Sequence, residues 1–235
     1  MVIRSVLSSH TPLLYVVLLC LIKNSEAFGK MISGVGVLTS MRVANSVSRD
    51  NLLSIVGQHV ESTAKRTSGA PVRATVVSEG SRVVLVEEWT SNDEYEAYTE
   101  SNMGNELESQ AASLISESST SEFFPEVLHI FQGDCTPEDI GILVRQNTAN
   151  PANGALLRDV QRAAYERQMG FEPGCTCCII LADGSSEVKI IELWKTMDDF
   201  IFHESSEWHA QGEEKVVPLV TDMDCDFVRG KRLLY

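Results

Sequence analysis

The chain can be laid on itself. A shift of 105 residues carries Gly36 to about Ile115 onto a second stretch without a gap. Gly36-Val-Leu-Thr-Ser-Met-Arg-Val-Ala-Asn45 falls on Gly141-Ile-Leu-Val-Arg-Gln-Asn-Thr-Ala-Asn150. Leu52 falls on Leu157, Glu87 on Glu192, Trp89 on Trp194 and Asp93 on Asp198. A period this long means two copies of one structural unit, so whatever fold one half adopts, the other adopts too. Past Leu114-Ile115 and Leu219-Val220 the register is lost, and residues 116–122 read as extra in the first copy.

Each copy carries the same order of elements. A first strand is expected at Val35–Val43 and again at Ile142–Thr148. A helix follows, marked by Leu52, Ile55, Val56, Val60 and Ala64 in one copy and by Leu156, Leu157, Val160 and Ala164 in the other, at three- and four-residue steps. A hairpin comes next. Its turns are Ser78-Glu-Gly-Ser81 and Asp183-Gly-Ser-Ser186, rich in the residues tight turns need. Ser91-x-x-Glu94 and Thr196-x-x-Asp199 read as capping boxes opening a second helix. The last strands are placed at Glu126–Phe131 and about Cys225–Arg232. The result is an α+β chain of two tandem ferredoxin-like β-α-β-β-α-β modules, residues 35–133 and 139–235. Each sheet has one face covered by helices. The other faces are expected to bury each other, which makes the chain a pseudo-dimer within itself.

With these motifs in view, the sequence resembles the antibiotic-biosynthesis monooxygenase family of dimeric α+β barrels, once per copy. Glu172-Pro-Gly-Cys175 resembles the family's turn into its second strand. Glu192, Trp194, Phe200 and His203 fill the recurring positions of the following strand and helix. The first copy offers Glu87, Trp89, Tyr95 and Tyr98 there, and Thr67-Ser-Gly69 in place of the turn. The resemblance implies a cofactor-independent monooxygenase acting on a small aromatic, quinol or polyketide-like substrate, with no cofactor and no metal. It also leaves open a non-catalytic protein of this fold that binds a small ligand or merely assembles. Haem degradation, another activity in the family, is not expected, because His203 and about Glu213 stand where those members carry a Trp and a His.

His203 is the candidate catalytic base, since an imidazole near neutrality can deprotonate an acidic phenol or C–H. Trp194, Trp208, Asn147, Tyr165, Trp89 and Tyr98 are the candidate substrate-binding residues. The Trp residues can equally be core. Asn147 shares a strand face with Arg145 by period two, and that face can equally meet solvent. His209 follows His203 by six residues, a poor same-face spacing on one continuous helix. Cys175, Cys177 and Cys178 alternate along one strand, two to one face and one to the other. Three thiolates so placed do not converge on an ion without a bulge, and buried small hydrophobes are the expected role. Asp222, Asp224 and Asp226 read as a solvated strand edge.

The remaining expectations concern compartment and partners. Arg4, the apolar run Pro12–Ile22, and Ser25 and Ala27 before Phe28 have the layout of a signal peptide over residues 1–27, with a linker or short transit segment at 28–34. Ala27-Phe28 also resembles the bipartite plastid presequences of diatoms and related algae. A secreted or plastid protein, off the membrane once the signal is removed, is expected. Five cysteines remain after Cys20, an odd number that does not suggest a paired disulfide scaffold. The net charge of −14 repels phosphate backbones, so a small-molecule substrate is expected and nucleic acid is not.

Overall fold

A computed structural model describes residues 16–19, 34–64, 73–132, 139–168, 172 and 174–227. The first module holds β2 (Val35–Arg42), α1 (Ser46–Ala64), β3 (Arg73–Glu79), β4 (Arg82–Trp89), α2 (Asn92–Thr99), α3 (Asn102–Ala112) and β5 (Thr120–Phe124). After β6 (Glu126–Gln132), the second repeats the order with β7 (Ile140–Asn147), α4 (Gly154–Gln168), β8 (Cys175–Ala182), β9 (Glu187–Trp194), α5 (Met197–Glu204), α6 (Glu207–Val216) and β10 (Asp222–Phe227). One sheet runs β3-β4-β2-β5 and the other β8-β9-β7-β10, so the two modules share one topology. β1 (Val16–Leu19), inside the expected signal segment, lies beside β3. The rest of residues 1–33 falls outside the described residues.

Two strand assignments need correction. The last strand of the first module is β5, where Thr39 pairs with Ser121, just as Val144 pairs with Cys225 in the second. The repeat therefore continues past Ile115, with one residue more in the first copy than in the second, and residues 120–124 are the strand itself rather than an insertion. The strand expected last, at Glu126–Phe131, is β6, and it hydrogen-bonds to β8 in the other sheet. The chain leaving the first module thus extends the second module's sheet before the second module begins. The second module's strand residues after Phe227 lie outside the described residues.

The two sheets bury each other as the pattern requires. Leu38, Val84, Val86 and Phe124 from one meet Leu143, Ile179, Leu181 and Ile191 from the other. Contact is close at Gly36, where a Cβ would stand 2.6 Å from the Leu181 side chain and 2.8 Å from that of Val127. Only a residue without a side chain lets the sheets approach so closely. Lys189, buried in this region, pairs with Glu122 of β5 and joins the modules by charge. The outer faces are covered by helices, with Met41, Leu52, Val56 and Leu85 in one module. Ile142, Leu157, Ile190 and Trp194 do the same in the other.

Serines and a threonine set the helix starts. Ser91 and Thr196 accept from the backbone N–H groups of Glu94 and Asp199, at the positions the capping motifs mark. The second helix of each module is broken. Ser101 and Ser206, one repeat apart, each cap the new segment by accepting from the N–H of Gly104 and of His209. Gly80 and Gly184 turn the hairpins with φ of +54° and +80°, conformations that favour glycine. No helix among the described residues is long and apolar enough to cross a membrane.

Candidate active site

The second module holds a partly open cavity of about 280 Å³ between its sheet and helices α4, α5 and α6. Gln146 enters it from β7, Tyr165 from α4, Glu192 from β9, Glu204 from α5 and His209 from α6. Val144, Phe200 and Val216 supply apolar wall.

The break at Ser205-Ser206 builds the site. An unbroken helix would point residues 203 and 209 apart. Restarting the helix at Ser206 brings the two imidazoles together, with ring centres 4.8 Å apart and planes at 67°. His209, about a quarter exposed, faces the cavity, and its Nε2 lies 3.4 Å from Glu204 Oε1. His203 lies behind it at 1% exposure and is not part of the cavity wall. Its Nδ1 donates to Glu172 Oε2 at 2.6 Å, leaving the other ring nitrogen free of that bond. Glu172 is itself buried, at the turn where Cys175 N–H returns to its carbonyl. The two features that distinguish the second copy in sequence, the Glu-Pro-Gly turn and the helix histidine, are therefore one interaction. Gly174 permits it, since a Cβ there would strike Asp199 at 2.3 Å.

Trp194 packs its ring 4.8 Å from that of His203 and donates Nε1–H to Glu192 at 2.8 Å. The Tyr165 hydroxyl donates to the other Glu192 oxygen. Burial, with the neighbouring Glu192 charge, holds the Tyr165 hydroxyl well above the ordinary tyrosine range. For His203, burial pulls the pKa down, but the Glu172 hydrogen bond and the charges of Glu192, Glu172 and Glu204 outweigh it. The ring ends above its ordinary value. Burial also raises Glu204, against the pull of His209 and His203.

The other sequence candidates divide. Tyr165 lines the cavity and Trp194 braces His203 from behind. Trp208 does not reach the cavity. It stacks under the Arg167 guanidinium, 4.1 Å from the ring centre, in a separate groove between α4 and α6. Asn147 and Arg145 are on the wrong parity, because Ile142, Val144 and Gln146 face the cavity and Leu143 faces the other sheet. Gln146 occupies the place offered to Asn147 and accepts a hydrogen bond from Gln161 at 2.7 Å. Trp89 and Tyr98 belong to the first module's core. A register shift between Cys175 and Cys177 puts Cys175 on the helix side with Cys178, and Cys177 between the sheets. Cys175 thus shares a face with Cys178 rather than with Cys177, and all three are buried and outside any disulfide.

The first module keeps the frame and changes the chemistry. Trp89 and Glu87 stand as Trp194 and Glu192 do, but Trp89 Nε1 is buried without a hydrogen-bond partner. Burial lifts the Glu87 carboxyl to about 7. Tyr98, Thr99 and Gly104 stand one repeat before His203, Glu204 and His209. At Gly104 a Cβ would meet the Tyr98 carbonyl oxygen at 2.7 Å, so this backbone has no room for a histidine. The first module's imidazole is on its first helix instead, where His59 Nε2 meets the Tyr98 hydroxyl at 2.5 Å. Alignment by position overlooks His59, because its counterpart is Ala164.

No family model matches the chain, and neither does any curated protein. Solved structures do. A protein from Lactobacillus acidophilus provisionally assigned as a monooxygenase superposes with a TM-score of 0.68 at 10% identity, over 86% of this chain and 93% of that one. A second, from Fusobacterium nucleatum and assigned in the same provisional way, gives 0.66 at 11% identity over 86% and 91%. An anthrone oxidase-like protein gives 0.59 at 12% identity over 88% and 94%. Each alignment runs through both modules. The fold is thus the one the sequence resemblance implies, a tandem pair of α+β modules of the kind found in these monooxygenase-assigned proteins.

Proposed function

We propose that the second module is a cofactor-independent monooxygenase for a small aromatic substrate bearing an acidic C–H or phenol. The observation that carries this reading is the imidazole pair at the cavity wall, His209 in front and His203 fixed behind it by Glu172. His209 takes the substrate proton, because its ring meets the cavity and that of His203 does not. Tyr165 and Gln146 are placed to contact the substrate's oxygen atoms. The resulting carbanion passes one electron to O₂, and the radical pair collapses to a C–O bond. The peroxide takes a proton and eliminates water, leaving a carbonyl. A CH₂ group and O₂ thus become C=O and H₂O, with all four electrons drawn from the substrate. A cavity of about 280 Å³ is at the lower end of ligand sites, which favours one- or two-ring substrates over large polyketides.

His203 is a positioning residue in this scheme. It lines up His209 by packing its ring against it. Oxygen uptake on a panel of quinols and anthrones is the test. The wild type is expected to turn over at least one member, and His209→Ala to lose about 100-fold, within the usual contribution of a general base. His203→Gln is expected to shift the pH profile. Calorimetric binding without oxygen uptake by the wild type would establish a ligand-binding protein instead.

A further inference from the structure

We infer that His203, His209 and Glu204 form a site for one divalent transition-metal ion, open on one side to the cavity. One ligand atom from each residue lies within 4.8 Å of the others. Glu204 Oε1 and His209 Nε2, at 3.4 Å, already have the separation of two ligands on a tetrahedral ion, about 3.4 Å for bonds of about 2.0–2.1 Å. His209 and Glu204 are partly exposed, so side-chain rotation alone can bring both toward the buried His203 ring.

Three further features point the same way. Glu172 accepts from His203 Nδ1, which fixes the ring and leaves the other nitrogen's lone pair for a metal. Carboxylates placed behind ligating histidines in this way are the common support of such sites. Glu192 and Glu213 join Glu204 in the cavity wall, so the surroundings of the site are acidic. Glu172 Oε1 is buried and without a hydrogen-bond partner. In the first module the equivalent residues are Thr67, Tyr98, Thr99 and Gly104, so the support and all three ligands are absent together. Two imidazoles and one carboxylate suit Zn(II), Co(II) or Fe(II) rather than Mg(II) or Ca(II). Metal binding does not depend on the monooxygenase reading, and it competes with it. A metal-bound His209 has no lone pair for a substrate proton.

The test uses the full chain without a polyhistidine tag, stripped by chelator and titrated with Co(II). A visible absorption band that saturates at one equivalent and is displaced by Zn(II) is expected. His209→Ala and Glu204→Gln should weaken binding about 100-fold with unchanged thermal melts, and Glu172→Gln about 10-fold, as removal of a supporting carboxylate does. No band, or a band of equal affinity in His209→Ala, overturns the inference. So does a band lost only on alkylating the cysteines. A saturating band in a chain that never consumes oxygen leaves the metal site standing and the proposed reaction refuted. Oxygen uptake by the stripped chain without any band does the reverse.

Discussion

The two modules share a backbone plan and diverge at one place. Each has a buried Glu and Trp at the end of its third strand, Glu87 and Trp89 in one, Glu192 and Trp194 in the other. In the second, Tyr165 and Trp194 both donate to Glu192. In the first, Val60 stands one repeat before Tyr165 and the Trp89 N–H is unpaired. Imidazole and phenol have also exchanged helices. His59 precedes Tyr98 in one module, and Tyr165 precedes His203 in the other. Duplication supplied two outer helical faces, but a pair of histidines at the helix break exists only in the second. Fold closure needs both modules, while the polar site is built by one.

The largest expected effect is on stability. Glu192→Leu leaves the buried Tyr165 hydroxyl and Trp194 N–H without their acceptor, which should cost about 4 kcal/mol by urea denaturation. Its counterpart should behave oppositely. Glu87 has a folded pKa of about 7, raised by burial from an ordinary 4.5, so the native state holds its proton more tightly. Its protonated form fits the fold. Stability is therefore lost as pH rises from about 4.5 to 7, by roughly 3 kcal/mol, and then levels off. Glu87→Gln should remove that slope, and an unchanged slope would place the titration elsewhere. The raised His203 pKa adds a smaller loss of the same sign, beginning above its ordinary value near 6.5 and complete above its folded pKa.

A smaller effect separates structure from function. Ser101→Ala and Ser206→Ala each remove a helix cap and should each cost about 1 kcal/mol in thermal unfolding. Oxygen uptake should fall only in Ser206→Ala, because that cap sets where His209 points. Equal loss in both would mean that the helix break does not organise the site.

How far the sequence revealed this architecture depended on what the repeat could carry. Matched positions such as Trp89 and Trp194, and the capping residues Ser91 and Thr196, placed most elements within a residue or two. β5 escaped because the first copy carries one residue more than the second between Ile115 and the strand, which breaks the register. β6 was legible as a strand, but its place in the other sheet was not, because such a crossing has no local signature. Asn147 was chosen over Gln146 because both faces of β7 are buried, so alternation does not mark which one holds the cavity. His209 was set aside on the spacing of a continuous helix. The signal that would have recovered it was present, since Ser101 and Ser206 align and serine is a preferred helix start. The Glu172–His203 contact joins residues 31 apart, and no periodicity reports such a pair.

Oxygen uptake by His209→Ala and by His59→Ala, measured side by side on the best substrate of the panel, tests the assignment of chemistry to the second module most directly. The account predicts a loss of about 100-fold in the first and a rate within about twofold of wild type in the second. Equal losses, or a loss confined to His59→Ala, would contradict it.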